Sequence, residues 1–190
     1  NNDLTPVVCE KGSVGACGDL SPMSQIALSL MGEGEMFVNG DIVNSKEALD
    51  NIGLKPLELE ARDGLALING SNVLTALAAI ILHDAKKWMK LHDIAAAMTL
   101  EALVANMKPY DKRIHELRGF SGSQIIANNL NILTKDSEIL FSGGKKVQDA
   151  YSMRSTPQVA GTLRDSINYA VSQVEIELNG VGDNPIFLTD

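Results

Sequence analysis

Between Asn72 and Met107 the chain holds a run that few folds can accommodate. Val73, Leu74, Leu77, Ala78, Ile80, Ile81 and Leu82 recur at helical spacing and leave almost no polar face. Ser71 stands at its start as a cap, and Lys108-Pro109 closes it, because the residue before a proline is pushed out of the helical region. A helix apolar on nearly every side needs other helices around it. Polar residues return at Asp84, Lys86, Lys87, Lys90 and Asp93 before the apolar pattern resumes from Ile94 to Val104, so a break or kink is expected near 91–93. The same residues keep each uninterrupted apolar run short of the roughly 20 residues that span a bilayer, and no membrane association is expected.

Further helices follow from their end signals. Met23, Ile26, Ala27, Leu30 and Met31 repeat behind a Ser21-Pro22 start and stop at Gly32. Ser45 to Ile52 is a short helix ended by Gly53, Lys55-Pro56 to Arg62 a connection, and Ser123 to Leu133 another helix. A last long one runs from Pro157 to Leu178, capped by Thr156 and ended by Asn179-Gly180. Phe37-Val38 and Ile42-Val43 flank Asn39-Gly40, which is the signal of a tight hairpin. Rods of about 30 Å or more, at about 1.5 Å per residue, bury apolar faces by bundling. The class is therefore all-α, a long-helix bundle with a small β-hairpin appendage.

A formal net charge of -8 excludes nucleic acid as a partner class, since a phosphate backbone asks for clustered Lys and Arg. Cys9 and Cys17 would close only a short loop, so a reduced, cytoplasmic setting is expected. His83 and His92 lie nine apart and His115 sits in a Lys-Arg-rich connection, none at metal-pair spacing, and all three read as structural or surface residues. Glu33 and Glu35 shape the turn into the hairpin. No metal site is expected. A start at Asn1 and an end directly after an apolar run are expected of an internal piece of a longer polypeptide.

The chemistry resides in Gly12-Ser13-Val14-Gly15-Ala16-Cys17-Gly18-Asp19-Leu20-Ser21-Pro22. Gly18 offers a backbone nitrogen with no side chain beside it, Ala16 a carbonyl open to attack, and Cys17 a β-substituent that can be eliminated. Closing the Gly18 nitrogen on the Ala16 carbonyl carbon makes a five-membered ring, and glycine tolerates the dihedrals this demands. Taken alone the run also reads as a Gly-rich turn before a helix, or as a thiolate nucleophile at a helix N-terminus. Asn69-Gly70 alone reads as a helix terminator. Tyr151 and Arg154, three apart, face one way on a helix or share one tight loop, and Arg154 has the fork that fits a carboxylate.

These segments resemble the aromatic amino-acid ammonia-lyases, and within them the histidine enzymes. Gly12 to Leu20 is similar to the family's Gly-Ser-Val-Gly-Ala-Ser-Gly-Asp-Leu, and Gly32-Glu33-Gly34 follows as in the family. Gly64-Leu65-Ala66-Leu67-Ile68-Asn69-Gly70, Gln148-Asp149-Ala150-Tyr151-Ser152-Met153-Arg154 with Pro157-Gln158-Val159, and Asp183-Asn184-Pro185 resemble three further family motifs in the same order. Cys17 departs from the pattern, standing where the family has serine, so ring formation would expel sulfide rather than water.

The resemblance implies a methylidene-imidazolone (MIO) cofactor made autocatalytically from Ala16-Cys17-Gly18. It further implies a catalytic role for Tyr151, a place beside the electrophile for Asn69, a polar frame including Gln148, and Arg154 on the substrate carboxylate. It places 1–190 as the central part of a single larger domain, assembled as a homotetramer with composite sites and incomplete by itself. The reaction implied is non-oxidative deamination of a small-molecule aromatic amino acid, L-histidine to trans-urocanate and ammonia first. Phenylalanine and tyrosine lyases or aminomutases share most of these motifs, and a non-cyclised helical assembly module is a different class of outcome. Pro157-Gln158-Val159 favours histidine, because plant-type phenylalanine enzymes carry Trp after Pro-Gln.

Overall fold

The computed structural model describes residues 3–144, 146–182, 186 and 188. They fall into two compact units, Asn1–Ala78 with Ile176–Asp190, and Ala79–Glu175.

In the first unit, β1 (Leu4–Pro6), β2 (Glu35–Val38) and β3 (Asp41–Asn44) form an antiparallel sheet in that order. Phe37 pairs with Ile42 on one side and with Thr5 on the other. Asn39 and Gly40 both have positive φ, 53° and 96°, as the predicted two-residue loop requires. The expected hairpin thus carries a third strand. β1 escapes sequence detection because it is three residues long and ends on Pro6, a residue tolerated at a sheet edge. α1 (Leu20–Leu30) precedes the sheet, and α2 (Ser45–Asn51) follows it, capped by the Asn44 side chain on the Lys46 N–H at 2.9 Å. Met36, Ala48 and Leu49 make a small core with Leu4, Val38 and Val43 packed against it. The connection from Lys55 then leads into α3 (Asp63–Ile68), a short helix absent from the sequence reading.

α4 (Asn72–Ala102) begins in the first unit and continues into the second. No break interrupts it at 91–93. Asp93 is only 3% exposed and accepts hydrogen bonds from Asn129 Nδ2 at 2.7 Å and Arg164 Nη2 at 2.9 Å, so the polar residue is a paired core group rather than a kink. The helix ends five residues earlier than the sequence suggests, because Val104 takes a left-handed conformation, φ 49°. Segment 63–102 includes an 18-residue stretch of mean hydropathy 1.9, long and apolar enough by length and composition to cross a membrane. Within α4 itself every stretch of that length carries three or more charged residues, so the apolar window includes the bend at 69–71.

The second unit continues with a single 3-10 turn at Lys108–Tyr110, then α5 (Lys112–Arg118), α6 (Ser121–Leu133), α7 (Tyr151–Arg154) and α8 (Thr156–Asn179), whose last residues belong to the first unit. Its core gathers Met89, Leu100, Tyr110, Ile126, Leu130, Leu140 and Ala160. α6 and α8 touch backbone to backbone where Gly122 meets Gly161; a Cβ on either glycine would collide with the other helix. Small residues at that crossing let the helices approach closely enough to bury Ile126 and Ala160. His115 lies on α5, not in a connection, and its Nε2 meets the Pro109 carbonyl at 2.9 Å in a fully buried position.

Candidate active site

In the first unit Gly15, Ala16, Cys17 and Gly18 form one tight turn. The Gly18 N–H donates to the Gly15 carbonyl at 2.8 Å, and the Val14 N–H donates to the Gly18 carbonyl at 3.1 Å. Cys17 occupies the corner with φ 50°, a left-handed conformation that costs a side-chain-bearing residue roughly 1 kcal/mol or more. Gly18 cannot be replaced without displacing the chain, because a Cβ there would lie 2.6 Å from Val14 Cγ2 and 2.9 Å from the Gly15 carbonyl oxygen. The segment is compact and turned, with the Cys17 side chain exposed.

The first turn of α4 holds this loop from one side. The Cys17 N–H donates to Ser71 Oγ at 3.1 Å, and the Leu74 N–H donates to Asp19 Oδ2 at 2.9 Å. Asp19 is fully buried, and its carboxylate lies against the positive end of the helix dipole. Its other oxygen, Oδ1, has no hydrogen-bond partner among the described residues. Asn69 closes α3 in an extended conformation, φ -92° and ψ 91°. That bend brings Asn69 and Ser71 to the wall of a cavity of about 310 Å³ that Cys17, Asn72, Thr75 and Glu177 also line.

The second unit builds another polar cluster. Arg154 Nη1 donates to Gln148 Oε1 at 2.8 Å, and the guanidinium lies 4.9 Å from the Tyr151 ring centroid. The three residues are therefore one group. Residues outside the motif fix it in place. Tyr110 Oη and Thr156 Oγ1 both donate to the Met153 carbonyl, at 2.5 Å and 2.7 Å, and so hold the α7 turn. The Asn106 N–H donates to Asp149 Oδ2 at 2.6 Å, while Asn106 Nδ2 donates to the Val147 carbonyl at 3.0 Å.

Burial pushes the Tyr110 phenol up from 10.0 to about 12; the side-chain hydrogen bond with Thr156 works against this, and the charge of Asp149 adds to it. Its folded pKa lies above the unfolded one, so its contribution to stability is whole below about pH 10 and is lost as pH rises toward about 12. Tyr110→Phe in the complete protein is expected to weaken stability by about 1 kcal/mol at neutral pH and to remove this component of the alkaline loss. Urea unfolding at neutral pH and near pH 11 checks both; an unchanged alkaline slope contradicts the assignment.

The sequence features have a common source. The family profile for aromatic amino acid lyases matches residues 1–190. The chain belongs to that family. It is 46% identical over 192 residues to a histidine ammonia-lyase of Gloeobacter violaceus, covering 100% of this chain and 37% of that one. Its fold is similar to that of the Pantoea agglomerans phenylalanine aminomutase, with TM-score 0.87, 28% identity, and coverage of 99% of this chain and 40% of that chain. The histidine ammonia-lyase of Trypanosoma cruzi gives TM-score 0.80 and 35% identity, covering 97% and 34%. The chain spans less than two fifths of the length of the curated relatives it matches.

Aromatic amino acid lyases of this kind depend on MIO, and the residues present fit that group. The loop is already turned, and the space beside the Gly18 Cα admits no side chain. Of the site residues expected from the sequence, Ala16, Cys17, Gly18 and Asn69 lie in the first unit, and Gln148, Tyr151 and Arg154 in the second. Asp183-Asn184-Pro185 lies outside the described residues. Among the described residues no group of three His, Cys, Asp or Glu side chains could hold a metal ion. Sequence reasoning missed Ser71 as more than a cap, along with Asp19, Asn106, Tyr110 and Thr156. Asp19 stood inside the quoted motif, whereas the others make contacts that involve backbone atoms and have no motif of their own.

Proposed function

We propose that the complete protein is a carbon-nitrogen lyase that eliminates ammonia from an aromatic amino acid, converting L-histidine to trans-urocanate. The turned Ala16-Cys17-Gly18 segment, whose Cys17 lines a cavity with Asn69, carries this reading. Histidine ammonia-lyase relatives at 42% and 46% identity support the choice of substrate. An MIO ring made from Ala16-Cys17-Gly18 would supply an electron-poor carbon at this position, open to the amino group or ring of the substrate. Asn69 offers an amide beside it. Arg154 holds the substrate carboxylate with a planar fork, and Gln148 fixes the orientation of that fork through its 2.8 Å hydrogen bond. Tyr151 covers the guanidinium with its ring and presents a phenol able to relay a proton.

The homotetramer belongs to the same proposal. Ile80 and Ile81 of α4 are 60% and 64% exposed, with Leu74 and Leu77 also open, a face that the missing lengths of chain or further subunits would cover. We place the enzyme in the cytoplasm on the same footing.

The test uses the complete enzyme with L-histidine, following urocanate absorbance and released ammonia. Arg154→Lys keeps the charge but loses the fork, and loss of a hydrogen bond to a charged group costs about 1.5 to 3 kcal/mol, so kcat/KM should fall roughly tenfold to hundredfold. Prosthetic-group absorbance should stay as in the parent. Normal turnover in the variant contradicts the clamp, and absence of urocanate from the parent contradicts the substrate.

A further inference from the structure

We propose that Ser71 receives the proton that leaves the Cys17 nitrogen when the ring is made, and so acts in maturation of the electrophile. The proposal rests on the reading that Ala16-Cys17-Gly18 cyclises. Ring closure begins when the Gly18 nitrogen adds to the Ala16 carbonyl carbon: a C–N bond forms, the carbonyl π pair moves to oxygen, and the Gly18 proton passes to that oxygen. Loss of this hydroxyl as water needs one more proton. The electrons for the new C=N bond come from the Cys17 N–H bond, so the Cys17 amide proton is the one that must depart. Elimination then takes the Cys17 Cα proton and breaks Cβ–S, releasing hydrogen sulfide. One water and one hydrogen sulfide leave, and no oxidant or reductant is involved.

The Cys17 amide proton already has its acceptor. Ser71 Oγ lies 3.1 Å from the Cys17 nitrogen, across 54 residues of sequence. A hydroxyl accepts and donates at once, so it can take this proton while passing its own outward. Ser71 lines the cavity that opens beside Cys17, where Glu177 is the one carboxylate on the wall among the described residues. The outward path is thus solvent in that cavity or Glu177. The Gly18 proton, by contrast, is held by the Gly15 carbonyl, which can polarise it but cannot relay it. The backbone of Ser71 is fixed independently of its hydroxyl, since the Thr75 N–H and Thr75 Oγ1 both donate to the Ser71 carbonyl at 3.0 Å. Removing Oγ therefore leaves the path of the chain in place.

The experiment compares Ser71→Thr, Ser71→Val and Ser71→Ala in the complete protein, newly synthesised and followed by intact mass over time. Thr and Val share a shape and differ only in the hydroxyl. Ser71→Thr should lose water and hydrogen sulfide at the parent's rate, while Val and Ala should accumulate linear chain, maturing about tenfold or more slowly at neutral pH. Raising the pH should speed the Val and Ala variants more than the parent, because hydroxide can replace the missing acceptor. A purely structural role would not produce that pH response. Maturation of Val or Ala at the parent's rate, or equal slowing of Thr and Val, overturns the role of Ser71. A parent that never loses mass overturns the cyclisation reading instead.

Discussion

Cys17→Ala in the complete enzyme is expected to reduce deamination by roughly four orders of magnitude or more, the scale of effect seen when a covalent catalytic group is removed outright. Alanine has no β-substituent to expel, so ring closure could at most stop one elimination short of the electron-poor carbon. Cys17→Ser replaces the sulfur with the oxygen that the family carries at this position, and should mature and turn over. The pair separates leaving-group chemistry from geometry. Both small residues meet the same left-handed corner at φ 50°, so any conformational cost is shared. Turnover in Cys17→Ala close to the parent's, measured by urocanate formation, would mean that the electrophile does not arise from residue 17.

The largest expected effect on stability lies at the Gly122–Gly161 crossing, where Gly161 is the test position. A Cβ there would stand 2.6 Å from Ser123 Cα and 2.7 Å from the Gly122 carbonyl carbon, both backbone atoms with no rotamer to escape into. Gly161→Ala must drive α6 and α8 apart and uncover Ile126 and Ala160, which are fully or almost fully buried. Overpacking against backbone is expected to cost about 3 kcal/mol or more, which for a chain of this size lowers Tm by roughly 6 to 12 °C. Gly64 is the internal control. Nothing lies within 4 Å of a Cβ there, and the residue sits inside α3, so Gly64→Ala should be neutral or stabilising by up to about 1 kcal/mol. Thermal unfolding of the two variants beside the parent checks both signs.

End signals that depend on one residue's conformation were legible in the sequence. Asn39-Gly40 gave the hairpin turn, and Gly32 and Gly53, at φ 78° and 72°, stopped α1 and α2 as expected. Signals overridden by packing were not legible. Asp93 looked like a break in α4 because a charged residue usually faces water, yet Arg164 and Asn129, far away in sequence, pair with it inside the unit. The end of α4 depends on Val104 in a left-handed conformation, which β-branched residues rarely adopt, so its type argued for continuation. α5 was hidden by its composition. Its basic residues suggested a connection, although Asp111 caps it through the Arg113 N–H at 3.0 Å and Gly119 ends it at φ 81°.

The same division runs through the site. The motifs pointed to the residues to which we assign the chemistry, Cys17, Asn69, Gln148, Tyr151 and Arg154, because those residue types are rare enough in such combinations to be read. The supports for those groups were hidden. Ser71 reaches the loop from 54 residues away through one hydroxyl, and Tyr110 meets Met153 through a carbonyl that every residue possesses. A backbone acceptor leaves no trace in residue type, so contacts of this kind become visible only once the chain is folded.

The central claim is that residue 17 becomes part of a ring, and the mass of the complete protein tests it most directly. The measurement is an accurate intact mass, followed by fragmentation of the peptide that spans residues 12–22 and by alkylation of free thiols. The account predicts a shortfall of one water and one hydrogen sulfide confined to Ala16-Cys17-Gly18, with Cys9 as the single alkylated cysteine of the two in this chain. A full linear mass with an alkylated thiol at Cys17, in protein that forms urocanate from L-histidine, would contradict it.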